Sequence, residues 1–150
     1  MTIKVALAGA GAFGIKHLDG IKHIPDVEVI SLVGRELQKT QAVADQYGIP
    51  HVTTDLAESL KIKEVDAVIL CTPTQMHAAQ TQACLQAGKH VQVEIPLCDI
   101  LAEGRDVLAL QKQTGLVAMC GHTRRFNPSH QWVNNKIKAG EFKIQQMDVQ

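Results

Sequence analysis

Short apolar runs alternate with longer stretches of helical spacing along the chain. Ile3–Ala8, Val27–Val33, Ala67–Leu70, His90–Glu94 and Leu116–Gly121 have strand length and apolar character. His51–Thr53 is a shorter run of the same kind. Between them, Ala12–Ile24, Glu36–Tyr47, Gln75–Ala87 and Ala102–Thr114 carry good helix formers with apolar residues three and four apart. Gly48, Gly88 and Gly115 follow three of these stretches, where a helix leaves through a left-handed residue. Strand and helix in strict alternation predict an α/β fold: a doubly wound parallel sheet with helices on both faces.

The last stretch breaks the rhythm. Pro128–Ala139 reads as a helix with proline in its first turn, and Gly140 ends it. Phe142–Val149 then alternates as a strand, with Lys143, Gln145 and Asp148 polar and Ile144, Met147 and Val149 apolar. Nothing earlier in sequence is left to pair with it. The expectation is a nucleotide-binding domain over residues 1–125. Residues 126–150 then form a junction helix and the first strand of a further domain, against which Trp132 would pack.

Composition removes several classes of partner. Fifteen basic residues balance fifteen acidic ones, so no field attracts nucleic acid or an anionic membrane surface. Aromatic residues make up 3% of the chain, too few for a base-stacking platform. No apolar run approaches the roughly 18 residues needed to span a bilayer. The four cysteines form no CxxC pair, so no metal is expected; Cys71 and Cys120 sit in apolar runs and read as buried. The chain enters its first strand without a signal-peptide pattern, which leads to a cytoplasmic expectation.

The chemistry begins at Gly9-Ala10-Gly11-Ala12-Phe13-Gly14. This is GxGxxG directly after a strand and opening a helix, the context a dinucleotide site requires. Gly9 permits the tight turn, Gly11 the approach of a pyrophosphate, and Gly14 the packing of helix on strand. Ala12 and Phe13 complete the loop at the helix N-terminus, whose free N–H groups and dipole favour phosphate. An NAD site places Asp or Glu about 20 residues further on. Here the second strand ends Val33-Gly34-Arg35. Gly34 removes the carboxylate that would repel a 2′-phosphate, and Arg35 supplies a bidentate donor. Lys39 adds a charge one turn on, while Glu36 could either pair with Arg35 or discourage the phosphate. The expected cofactor is NADP.

Three later motifs end the fourth, fifth and sixth strands: Cys71-Thr72-Pro73-Thr74-Gln75-Met76-His77, Glu94-Ile95-Pro96, and Gly121-His122-Thr123-Arg124-Arg125-Phe126-Asn127-Pro128. Ligands of open α/β sheets bind at these strand ends. With the glycine loop, they resemble the Gfo/Idh/MocA oxidoreductases. The resemblance implies a Rossmann domain followed by an α+β substrate domain. It places Thr72, Pro73, Thr74, His77, Glu94 and Pro96 against the cofactor, with His77 near the nicotinamide ribose, and implies a cis peptide before Pro96. Family members often carry a histidine at the place of His17, for which the sequence suggests no partner.

One departure matters. The family's usual Glu-Lys-Pro is Glu-Ile-Pro here, so Ile95 stands where a lysine would reach the reacting hydroxyl. This departure, Gly34-Arg35 and the Arg-Arg-Phe-Asn-Pro loop resemble a member that oxidises the cyclic hemiacetal of a small dicarboxylate. Glu94 and His122 are the expected catalytic groups, His122 as the imidazole beside the expected hydride-transfer face. His122, Arg124 and Arg125 are the expected substrate contacts, the arginines being suited to hold a carboxylate in bidentate fashion. A homo-oligomer is expected from the exposed apolar face around Trp132, Phe142 and Ile144. Two alternatives stand beside this reading: a sugar or polyol dehydrogenase of the same family, and a nucleotide-binding module without catalysis.

Overall fold

The computed structural model describes residues 1–146. Its strands are β1 (Ile3–Ala8), β2 (Val27–Val33), β3 (His51–Thr53), β4 (Ala67–Leu70), β5 (His90–Glu94) and β6 (Ala118–Gly121). Its helices are α1 (Ala12–Ile21), α2 (Leu37–Tyr47), α3 (Leu56–Leu60), α4 (Thr74–Gln86), α5 (Leu101–Thr114) and α6 (Pro128–Lys138), with a 3₁₀ turn at Thr123–Phe126. The strands form one parallel sheet in the order β3-β2-β1-β4-β5-β6. The chain winds outward from β1 in one direction and from β4 in the other. The doubly wound Rossmann fold expected from the sequence is the fold observed.

Successive residues of β1 serve opposite layers, which is why the run is apolar throughout. Leu7 joins Leu18, Leu32, Ala44 and Ile49 beneath α1 and α2. Ala6 and Ala8 join Val68, Leu70, Val91, Val93, Cys84 and Leu85 beneath α3, α4 and α5. Leu7 and Leu32 are fully buried, and each such side chain contributes about 1.5–3 kcal/mol. Gly48, Gly88 and Gly115 leave their helices with φ of 68°, 75° and 68°, as their positions suggested.

Some boundaries differ from expectation. Helix α1 stops at Ile21 because Pro25 follows: the residue before a proline is pushed out of the helical region. Strand β6 starts at Ala118, while the Val117 N–H is taken by His90 Nδ1 at 3.0 Å. Helix α3 was not expected. Asp55 caps it by accepting from Ala57 N at 2.9 Å, and one turn is too short to show a period. Cys71 and Cys120 are half-buried rather than core; Cys84 is the buried thiol.

The strand expected over Phe142–Val149 does not form in residues 142–146. Instead the Phe142 ring lies 6.2 Å from Trp132. The rest of that run lies outside the described residues. Trp132 itself is 59% exposed on α6.

Candidate nucleotide and substrate cleft

The carboxyl ends of β1 and β4 point into one crevice, at the place where the winding reverses. The glycine loop forms its floor. Gly9 has φ +112°, and a Cβ there would meet the Cys71 carbonyl oxygen at 2.4 Å. A Cβ at Gly14 would lie 1.8 Å from the Gly9 oxygen, so helix α1 can approach β1 only through a glycine. At Gly11 a Cβ would meet nothing within 4 Å; its open side faces the crevice. No side chain caps the N-terminus of α1. Its unsatisfied N–H groups and positive dipole end are free for phosphate. These features fit a bound dinucleotide.

Two cleft regions meet around Cys71, Thr72 and Pro73. The first, about 900 Å³, runs from Gly9 and Gly11 to Gly34, Arg35 and Lys39. Leu56, Leu60, Ala79 and Ala83 supply an apolar wall for a flat base. Glu36 pairs with Lys39 at 2.9 Å, not with Arg35. Among the described residues no carboxylate pairs with Arg35. Helix α2 also lacks a side-chain cap, so its first N–H groups lie open beside Arg35.

The second region, about 810 Å³, is lined by Phe13, Thr74, His77, Glu94, Ile95 and Arg124, among others. Glu94 is 7% exposed. Its Oε1 accepts from Gln92 Nε2 at 3.2 Å and lies 2.8 Å from His17 Nε2. Among the described residues its other oxygen has no hydrogen-bond partner. A Cβ at Gly121 would come within 2.6 Å of Gln92 Nε2 and 2.9 Å of Glu94 Oε1, so this glycine leaves room for the carboxylate. His17, Gln92 and Gly121 were not read as site residues from the sequence. The available signals were His17 one turn after Phe13, and Gln92 two residues from Glu94 on the same strand face.

His77 is buried, and both ring nitrogens are committed to the backbone. Nδ1 lies 2.7 Å from the Pro96 oxygen and Nε2 2.7 Å from the Thr72 oxygen. The ring ties the loop after β4 to the loop after β5. The Ile95–Pro96 peptide is cis, as the resemblance implied. Ile95 is 47% exposed on the cleft wall. Burial, with the Glu94 charge as a second cause, pushes the Cys71 thiol up to about 12. It is therefore no thiolate nucleophile near neutral pH.

Arg124 lines the second region; Arg125 and His122 are not among its lining residues. His122 is exposed, with Nδ1 3.3 Å from the Cys120 oxygen. Among the described residues no group of His, Cys, Asp and Glu is arranged to hold a metal ion, and no helix is long and apolar enough to cross a membrane.

Residues 3–122 match the family described as "Oxidoreductase family, NAD-binding Rossmann fold", GFO_IDH_MocA. Over 148 residues the chain is 61% identical to 4-carboxy-2-hydroxymuconate-6-semialdehyde dehydrogenase of Sphingobium sp., covering 99% of this chain and 47% of that protein. It is 31% identical over 141 residues to scyllo-inositol 2-dehydrogenase (NAD(+)) of Bacillus subtilis, covering 93% of this chain and 41% of that protein. The solved scyllo-inositol dehydrogenase of Lactobacillus casei, with NAD(H) and scyllo-inositol bound, matches with TM-score 0.89 at 24% identity. That match covers 94% of this chain and 42% of the other, and it establishes the fold. The chain thus spans less than half the length of these relatives.

Proposed function

This chain belongs to the Gfo/Idh/MocA oxidoreductase family, and we propose that the protein uses NADP to oxidise the cyclic hemiacetal of 4-carboxy-2-hydroxymuconate-6-semialdehyde to 2-pyrone-4,6-dicarboxylate. The observation that carries this reading is the 61% identity to the dehydrogenase named for that substrate. Bound nicotinamide supplies the hydride acceptor. The chain's own residues do the rest. Gly9, Gly11 and the N-terminus of α1 hold the pyrophosphate. Arg35 and the open N-terminus of α2 hold a 2′-phosphate, which no carboxylate at position 34 repels.

In the second region Glu94 is held on one oxygen by His17 and Gln92, and its other oxygen is left to accept the proton of the hemiacetal hydroxyl. Such a hydroxyl is more acidic than that of a simple alcohol, so a carboxylate serves where the family's lysine is replaced by Ile95. Arg124, which lines this region, receives a substrate carboxylate in bidentate fashion. A polyol has no comparably acidic hydroxyl and no carboxylate for Arg124.

The test is a substrate and cofactor panel with the full-length protein. Nicotinamide reduction is expected with the hemiacetal and NADP, and little with myo- or scyllo-inositol or with NAD. Reduction driven by the inositols and not by the hemiacetal would overturn the reading. Nucleotide binding without turnover on any of them would favour a non-catalytic module.

A further inference from the structure

We infer that Thr40 decides which side chains position 34 can accept, and so sets the nucleotide preference of the cleft jointly with Gly34. The link to preference rests on the NADP reading above; the steric link does not. Gly34 follows β2, and its N–H donates to the Thr53 oxygen at 3.1 Å, which pins the backbone there. A Cβ built on Gly34 would lie 2.0 Å from Thr40 Oγ1, 2.9 Å from its Cγ2 and 3.0 Å from its Cβ. Contacts that short demand that something move.

Thr40 is poorly placed to give way. It is 2% exposed. Its Oγ1 donates to the Glu36 oxygen at 2.7 Å, and its N–H donates to the same oxygen at 2.9 Å. A β-branched side chain within a helix has few other rotamers to use. The Cβ side of Gly34 is therefore already filled. The carboxylate that would bind a free ribose 2′-hydroxyl is excluded by packing beneath the loop, and placing it there requires a change at position 40 as well. Thr40 also lines the first cleft region, so the two positions border the same space.

The experiment is a double-mutant cycle on the full-length protein: wild type, Gly34→Asp, Thr40→Ala, and both together. Melting temperature and the Kd for NADPH and NADH are read for each. Gly34→Asp alone is expected to lose several degrees and to weaken both cofactors. Adding Thr40→Ala should restore most of the melting temperature and move the NADPH-to-NADH affinity ratio about tenfold toward NADH, a coupling of the size expected for residues in contact. If Gly34→Asp does not fold, Gly34→Ala with and without Thr40→Ala tests the same contact, because the Cβ alone makes the clash. A Gly34→Asp protein that keeps its melting temperature and switches preference unaided would overturn the inference. So would a double variant no more stable than the single one. Equal binding of NADPH and NADH by wild type would instead remove the NADP reading, while the coupling in melting temperature still decides the steric claim.

Discussion

Arg35 stands at the edge of the nucleotide cleft, and the neighbouring carboxylate that could have quenched it is engaged elsewhere: Glu36 holds Lys39. The two cations are therefore unequal. Lys39 has its charge partly answered, whereas among the described residues none takes up a side-chain donor of Arg35. Removing Arg35 should cost about 1–3 kcal/mol of NADPH affinity, the scale of charge-assisted hydrogen bonds, and leave NADH binding nearly unchanged. Titration of Arg35→Ala with each cofactor measures this. A parallel loss for both would assign Arg35 to the adenine or to the fold, not to the phosphate.

At the scale of elements, the proposed reacting end depends on three that meet at one carboxylate. Strand β5 carries Gln92 and Glu94 on one face, α1 brings His17, and β6 ends in a glycine that leaves the space clear. Gly121→Ala tests this junction. The atoms it would strike are the ends of flexible side chains, so the cost in stability should be small, about 1 kcal/mol. The displacement of Glu94 should be expensive, because misplacing a reacting group by about 1 Å can cost roughly a hundredfold in rate. Activity and melting temperature of the full-length variant separate the two. Unimpaired kcat/KM would take Glu94 out of the reaction. His77 works at the same scale, bridging the loops after β4 and β5 through their carbonyls.

At the scale of the whole molecule, the second cleft region is open to solvent on one side among the described residues. Phe126 on its wall is 75% exposed, and Trp132, Phe142 and Ile144 are exposed beyond it. Hydride transfer requires close positioning of donor and acceptor, which can contribute about 7–11 kcal/mol. A cleft without an opposing wall forgoes most of that, while the first region already brings the glycine loop, Gly34, Arg35 and Lys39 together along one lining. The 150-residue chain by itself should therefore bind cofactor without measurable turnover. Its exposed apolar face should drive it to a dimer or larger species. Cofactor titration, an activity assay and light scattering on the isolated chain check these points. Turnover near the full-length rate, or a strictly monomeric chain at high concentration, would contradict the corresponding expectation.

What the sequence by itself determined is local in origin. The period of apolar residues set five of the strands and five of the helices, and indicated β3 as well. The glycines after α2, α4 and α5 marked their ends through a conformation that other residues resist. Gly9, Gly11 and Gly14 announced the phosphate loop by their spacing directly after a strand, although only Gly14 answers a steric demand within those six residues, while the demand on Gly9 comes from the Cys71 carbonyl. What the sequence could not show lies between residues far apart, or in elements too short to have a period. Helix α3 is a single capped turn. His17 and Glu94 stand 77 residues apart and meet only because α1 crosses toward β5. The two carbonyls held by His77 belong to separate loops, and the Phe142 run forms no strand over residues 142–146. Even Gly34, legible as a missing carboxylate, gained its physical reason only when packing set Thr40 beneath it. Local propensity and turn sterics act along the chain and can be read there. Side-chain contacts across the sheet arise only once burial of both apolar layers has fixed which elements touch.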